Sequence, residues 1–168
     1  MDIKLEKLAK LAMEVGANVQ EGQYVVINGD VKIATFLQLL AKLAYEKGAK
    51  EVFVNYSDEQ LNLLDYTYLD EEQLKDIPLW KKEKMKDQLM KDCVRISVNT
   101  INPSLYETIS PEKMNAASME TRKVMMELRK DAPDHNTQWL GFCLPTQEWA
   151  DIVFKDDCEA LSKLNEVF

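Results

Sequence analysis

Histidine occurs once in this chain of 168 residues, at His135, and that scarcity closes several routes to chemistry. A hydrolytic zinc site needs several nitrogen, sulfur or oxygen donors and an open position. His135 lies in a polar loop between Asp134 and Asn136, without a second imidazole to share a metal, and reads as a solvated loop residue. Carboxylates alone could hold magnesium or calcium, but the D-x-D-x-D-G spacing is missing. A serine nucleophile lacks its G-x-S-x-G elbow, and that one loop histidine would have to serve as base. Cys143 meets the same difficulty, and it sits inside an apolar run where a thiol is inert.

Other shortages exclude other classes. Three cysteines, Cys93, Cys143 and Cys158, are an odd number without metal-type spacing. They give no disulfide framework, and Cys93 and Cys143 read as small buried hydrophobes in a reducing compartment. There are five glycines and no G-x-G-x-x-G turn to cradle a pyrophosphate. Lys and Arg number 21 against 29 Asp and Glu, a net charge of -8. Such a balance opposes nonspecific binding to nucleic acid or to an anionic membrane. No apolar run reaches membrane-spanning length, and Met1-Asp-Ile-Lys-Leu-Glu-Lys7 has no leader-type apolar core. A cytoplasmic location is expected.

What is present is an alternation of helix and strand patterns, 46% apolar and 30% charged. Leu5, Leu8, Leu11, Ala12 and Val15 recur at helical spacing before Gly16, which is placed to end that helix. Tyr24 to Asn28 is a compact β-type run; Gly29 and Asp30 are expected to break it, with Asp30 capping the next helix. That helix should bury Ile33, Phe36, Leu37, Leu40, Ala41 and Ala44 and end at Gly48. A second strand covers Glu51 to Tyr56. Ser57-Asp-Glu-Gln60 has the form of a capping box, so a helix with Leu61 and Leu64 inward should follow. The charged segment from Asp70 to Lys91 is helical in character and interrupted near Pro78. Its acidic start, Asp70 to Glu72, suits a helix N-terminus, as does Asp156-Asp157 further on.

Val94 to Val98 reads as a third strand, followed by a turn at Asn102-Pro-Ser104. Ser110-Pro111 then opens a helix reaching about Arg129, with Met114, Ala117, Val124 and Leu128 inward. After a loop at Ala132 to Asn136 comes the Trp139 to Leu144 strand. Pro145 stops it, Thr146 can cap a helix, and Trp149 with Val153 forms an i, i+4 apolar pair. Asp156 or Asp157 can cap a last helix carrying Leu161, Leu164, Val167 and Phe168 on its apolar side. The eight methionines fall largely on helical faces and read as packing. These patterns predict an α/β fold, a mostly parallel sheet of about four or five strands with helices on both faces. Residues 1–168 form a single α/β domain in this reading.

Ligands of such sheets sit at the carboxyl ends of the strands. The candidates there are Asn28-Gly29-Asp30, Asn55 and Asn99. One glycine and an acidic residue, where a phosphate would lie, favour helix capping over nucleotide binding. No catalytic, cofactor-binding or metal residue is therefore assigned.

Several segments taken together resemble a known family. They are Glu21-Gly-Gln-Tyr-Val-Val-Ile27, Ala44-Tyr-Glu-Lys-Gly-Ala-Lys-Glu-Val-Phe-Val54, Trp139-Leu-Gly-Phe-Cys-Leu-Pro-Thr-Gln-Glu-Trp-Ala150 and Val153-Phe154. In that order they are similar to the N-terminal region of the aminopeptidase S and aminopeptidase T family of thermophilic metalloaminopeptidases. The Pro-Thr-x-x-Trp-Ala element after a strand is the most specific part, and Asn165 stands where an aromatic residue is expected. The resemblance implies a homodimeric exopeptidase acting on peptides with two divalent metal ions, zinc or cobalt. Its His, Glu, Asp and Tyr ligands belong to a C-terminal catalytic domain absent from this sequence, and no ligand transfers to any position here. The expected partners are that catalytic domain and the peptide substrate, with no nucleic acid and no membrane. The expected role is to wall or gate the substrate cavity. A free-standing α/β module binding a ligand or protein is the alternative, and a nucleotide-dependent enzyme a third reading.

Overall fold

Val25 and Ile27 alternate with Val26 and Asn28 along β1 (Tyr24–Asp30), so one strand carries an apolar and a mixed face. In a computed structural model describing residues 3–90, 93–100, 102, 104–131, 138–155 and 157–167, this strand is internal to a four-stranded sheet. The other strands are β2 (Glu51–Ser57), β3 (Val94–Asn99) and β4 (Trp139–Cys143), in the order β2-β1-β3-β4. Every pairing is parallel, with Val25 opposite Val52 and Val94, and Ile96 opposite Leu140. His135 and Asp156, considered above, lie outside the described residues.

The apolar face is one continuous core. Val25, Ile27, Val94, Ile96 and Val98 are buried against Met13, Phe36, Leu37 and Leu40. Each such burial contributes about 1.5–3 kcal/mol relative to exposure. The helices that supply these residues are α1 (Ile3–Leu11), its continuation as a π-helical turn over Ala12–Gly16, and α2 (Ala34–Glu46) after a 3-10 turn at Val31–Ile33. Phe36 meets Phe142 edge to face, with centroids 6.1 Å apart. Gly48, at φ +86°, ends α2 with a left-handed residue, and Ala49 N–H donates to Ala44 C=O at 3.0 Å.

The opposite face carries a polar row. Asn28 pairs in register with Asn55 and with Ser97. Asn55 donates to Asn28 at 3.0 Å, and Lys84 reaches Asn55 at 2.6 Å from α5 (Leu79–Met90). On this side α6 (Pro111–Asp131) packs against both α4 (Glu71–Lys75) and α5. The breaks around Pro78 and the Ser110-Pro111 start fall where the sequence puts them. Asp70 closes a full capping box with Gln73. The remaining elements are α3 (Glu59–Tyr68), α7 (Gln147–Val153) and α8 (Ala160–Val167).

Five local expectations are corrected. Gly29 and Asp30 stay in β1, paired with Tyr56 and Ser57, because Gly29 packs under Leu37, where a Cβ would come within 2.8 Å. Asp58, not Ser57, caps α3, its carboxylate accepting from Gln60 N–H at 2.8 Å, because Ser57 is still in the strand. Leu61 and Leu64 face outward at 60% and 48% exposure, while Leu63, Tyr66 and Leu69 turn inward. Leu11 and Val15 are exposed because Ala9, Ala12 and Met13 form the inner face across the widened turn. Gly16 does end the helical run, meeting Leu140 there, and the residue with positive φ at that chain reversal is Asn18. Val153 is exposed too, so Trp149 packs instead with Ala150, Phe154 and the α8 residues Ala160 and Leu164.

Candidate functional site

The chain leaves β1 toward β2 on one side and returns to β3 on the other, so β1 and β3 form the switch point of the sheet. At their carboxyl ends the crossovers diverge and leave a crevice, the usual ligand position in such folds. Here it is a cleft of about 310 Å³ lined by Asn28, Asp30, Glu59, Asn99, Thr100 and Tyr106, among others. A larger cavity of about 620 Å³ lies among the helices. The switch point is where polar groups from separate strands converge.

Asp30 organises the cleft. It is 3% exposed, and each carboxylate oxygen accepts a backbone N–H, from Lys32 at 2.9 Å and from Glu59 at 3.0 Å. One side chain therefore caps the turn into α2 and the first turn of α3. The Glu59 carboxylate in turn accepts from the Thr100 hydroxyl at 2.9 Å and from the Lys32 ammonium at 3.0 Å. Lys32 also donates to Glu148 at 2.9 Å, joining the N-termini of α2, α3 and α7. Hydrogen bonding to Glu148, then the charge and hydrogen bond of Glu59, raise the Lys32 pKa despite partial burial. Glu148 is lowered, chiefly by the same Lys32 hydrogen bond. Tyr106 is raised by burial first and by the Glu59 charge second, and its ring meets Tyr66 edge-on at 5.7 Å.

This arrangement ties three helix starts together, and its own charges limit what else it can do. A phosphate would need the helix N-terminal amides that Asp30 already occupies with negative charge. Gly29 serves packing against Leu37, not close approach to a ligand. A cation would compete with the Lys32 ammonium, which already sits between Glu59 and Glu148. The carboxylates here thus do not fit a metal centre, and among the described residues no group of three or more His, Cys, Asp or Glu is placed to hold an ion. Cys93 is buried, Cys143 half-buried and Cys158 exposed, all as free thiols.

Of the residues proposed from sequence, Asn28, Gly29, Asp30 and Asn99 come together at the cleft. Asn55 stands one strand away, bonded to Asn28. Glu59, Lys32, Thr100, Tyr106 and Glu148 were missed. Glu59 follows the true cap Asp58, so correct placement of that cap was the available signal. Nothing local in the sequence marks Thr100 or Tyr106.

This chain has relatives among known aminopeptidases. It is 34% identical over 168 residues to aminopeptidase AmpS of Bacillus subtilis, covering 98% of this chain and 41% of that protein. Aminopeptidase 2 of Geobacillus stearothermophilus is 30% identical over 165 residues, 97% of this chain and 40% of that protein. The structure of wild-type AmpT from Thermus thermophilus superposes with a TM-score of 0.81 at 32% identity, covering 97% of this chain and 42% of that one. This chain thus spans about two fifths of the length of these relatives. A match to the family described as thermophilic metalloprotease (M29) runs over residues 1–168, and the chain belongs to that family.

Proposed function

We propose that this chain is the N-terminal domain of a metal-dependent aminopeptidase that removes N-terminal residues from peptides. The observation that carries the reading is the full-length match: the family covers residues 1–168, while AmpS extends well beyond the matched 41%. The carboxylates at the switch point support it, because Asp30, Glu59 and Glu148 are committed to amides, a hydroxyl and Lys32. Divalent metal, zinc or cobalt, then belongs to the further part of the longer enzyme, and no residue of this chain is assigned to catalysis. In this reading the domain walls the substrate cavity and limits access to short peptides, and the enzyme works as a cytoplasmic homodimer.

The test is release of leucine from a leucyl anilide and from leucyl peptides of increasing length, with cobalt or zinc present. The chain alone should release none. AmpS carrying this chain in place of its matching region should remain active and prefer short peptides. AmpS lacking that region should accept longer ones. Metal-dependent release by the chain alone would sink the assignment, and an unchanged length preference after deletion would sink the gate.

A further inference from the structure

We propose that the strip of sheet formed by Arg95, Ser97, Trp139 and Gly141 seats an amphipathic helix that carries a carboxylate, supplied by the further part of the longer enzyme. The inference rests on the reading of the chain as the N-terminal domain of that enzyme. Strands of an all-parallel sheet are normally covered by helices on both faces. β4 is covered on one, where Leu140 and Phe142 pack against the main core. On the other, Trp139 is 74% exposed and Gly141 is exposed as well. Adjacent residues aside, a Cβ at Gly141 would meet one atom within 4 Å, in the Trp139 ring at 3.9 Å. The indole thus leans along its own strand, and no helix among the described residues closes over that position. Arg95 is the in-register neighbour of Trp139, and Ser97 of Gly141, so all four share one face of two adjacent strands.

The charge on this strip is incomplete. Arg95 Nε is buried without a hydrogen-bond partner, and no carboxylate is paired with the guanidinium among the described residues. Burial lowers the Arg95 pKa, and the charge of Arg129 on α6 lowers it too. An unpaired guanidinium in that position is costly, and a carboxylate set against its fork removes the cost. A basic segment would meet Arg95 and Arg129 with like charge. The strip is open and flat, without the concavity of a small-molecule site. Tryptophan and arginine are the side chains that dominate protein interfaces, and Gly141 lets the backbone of an occupant come close. A helix is the occupant because helices cover parallel sheets. The same polypeptide is its source because this chain spans 40% and 41% of two relatives, so more than half of each lies outside the match.

Hydroxyl-radical footprinting of Trp139, read by mass spectrometry against an added reference peptide, compares the chain alone with the AmpS chimera that carries it. Trp139 should oxidise about fivefold or more slowly in the chimera, as an interface residue closed off from water does. R95M adds a test of sign. In the chain alone it removes an unsatisfied buried donor, so the urea midpoint should rise. In the chimera it leaves the occupant's carboxylate unpaired, so the midpoint should fall. R95K, which keeps the charge, should recover part of that loss. Equal oxidation of Trp139 in the two proteins would overturn the proposal, and so would R95M midpoints that move the same way in both. Sedimentation of the chain alone as a dimer with Trp139 protected would give the strip to a second copy and overturn it as well. Peptidase activity of the chimera is read separately. An active chimera with Trp139 open sinks this inference alone, and an inactive one with Trp139 protected sinks the peptidase reading alone.

Discussion

Asp30 shows how much one buried carboxylate can hold. Its role as a cap for the following helix is legible in Asn28-Gly29-Asp30, because an acidic residue before a helical pattern is a cap signal. Its second bond, to Glu59 N–H, is not legible locally; it exists because the parallel register sets Asp30 beside Ser57. Losing a single cap costs about 0.5–2 kcal/mol, so D30A, which orphans two amides, should cost about 2–3 kcal/mol. D30N, keeping one good acceptor, should cost about half of that. Urea midpoints at constant slope measure both; a D30A loss within 0.5 kcal/mol of an ordinary surface change would show that the caps carry little. The Lys32–Glu148 pair makes a separate, pH-dependent prediction. Glu148 is lowered from its ordinary 4.5, so its contribution is complete above that value and is lost as pH falls through the folded one. Lys32 is raised above its ordinary 10.5, so its share is complete below that value and is lost only as pH rises through the folded one. The stability difference between the native chain and E148Q should therefore be flat through neutral pH and shrink in acid, below the ordinary 4.5. It should be small, because Glu148 is 40% exposed and screened by solvent. A difference that grows in acid would contradict the assigned pairing.

At the scale of elements, type was read more reliably than phase. The strand segments, the helix after Ser110-Pro111 and the break near Pro78 follow from composition and punctuation that act locally. The inward face of α3 does not. Its leucines at 61, 63 and 64 permit two helical phases, and the choice is made by α6 and by Tyr106, whose ring takes Tyr66 inward. Lys113 reinforces that choice through the carbonyls at the end of the helix. L61S and L64S should then change stability by no more than about 0.5 kcal/mol. L63A should cost about 1–2 kcal/mol for a half-buried leucine. Thermal melts of the three variants decide the phase, and the reverse ranking would restore the sequence reading. The first helix teaches the same lesson: the π turn shifts the inner face to Ala12 and Met13, and no periodicity with a fixed step anticipates an inserted residue.

For the whole molecule, the sequence yields a parallel α/β layout but not the strand order, since three crossovers of similar pattern can be wound in several ways. The order found puts β1 and β3 at the centre and so creates the cleft that no single segment announces. It also leaves two unequal cores among the described residues. The sheet, α1 and α2 form the larger; Ala150, Ala160 and Leu164, with Trp149, Phe154 and Leu161, form a small one between α7 and α8. The contacts joining this small core to the rest include the Lys32–Glu148 pair and a hydrogen bond from Lys4 to the Asn165 carbonyl at 3.4 Å, both part-exposed. Segments with few buried apolar contacts open at lower free energy than the global unit. Amides of α8 should thus exchange by a sub-global opening, with a lower free energy than those of Val25 to Ile27. A fluorescent version of the test uses W80F/W139F, since Trp80 and Trp139 are 63% and 74% exposed and Trp149 remains as the only reporter. Trp149 emission should shift at lower urea than the loss of the circular dichroism signal, because α7–α8 lets go before the sheet does. Coincident transitions would mean that the two cores unfold as one, and that the ties at Lys4 and Lys32 are stronger than their exposure implies.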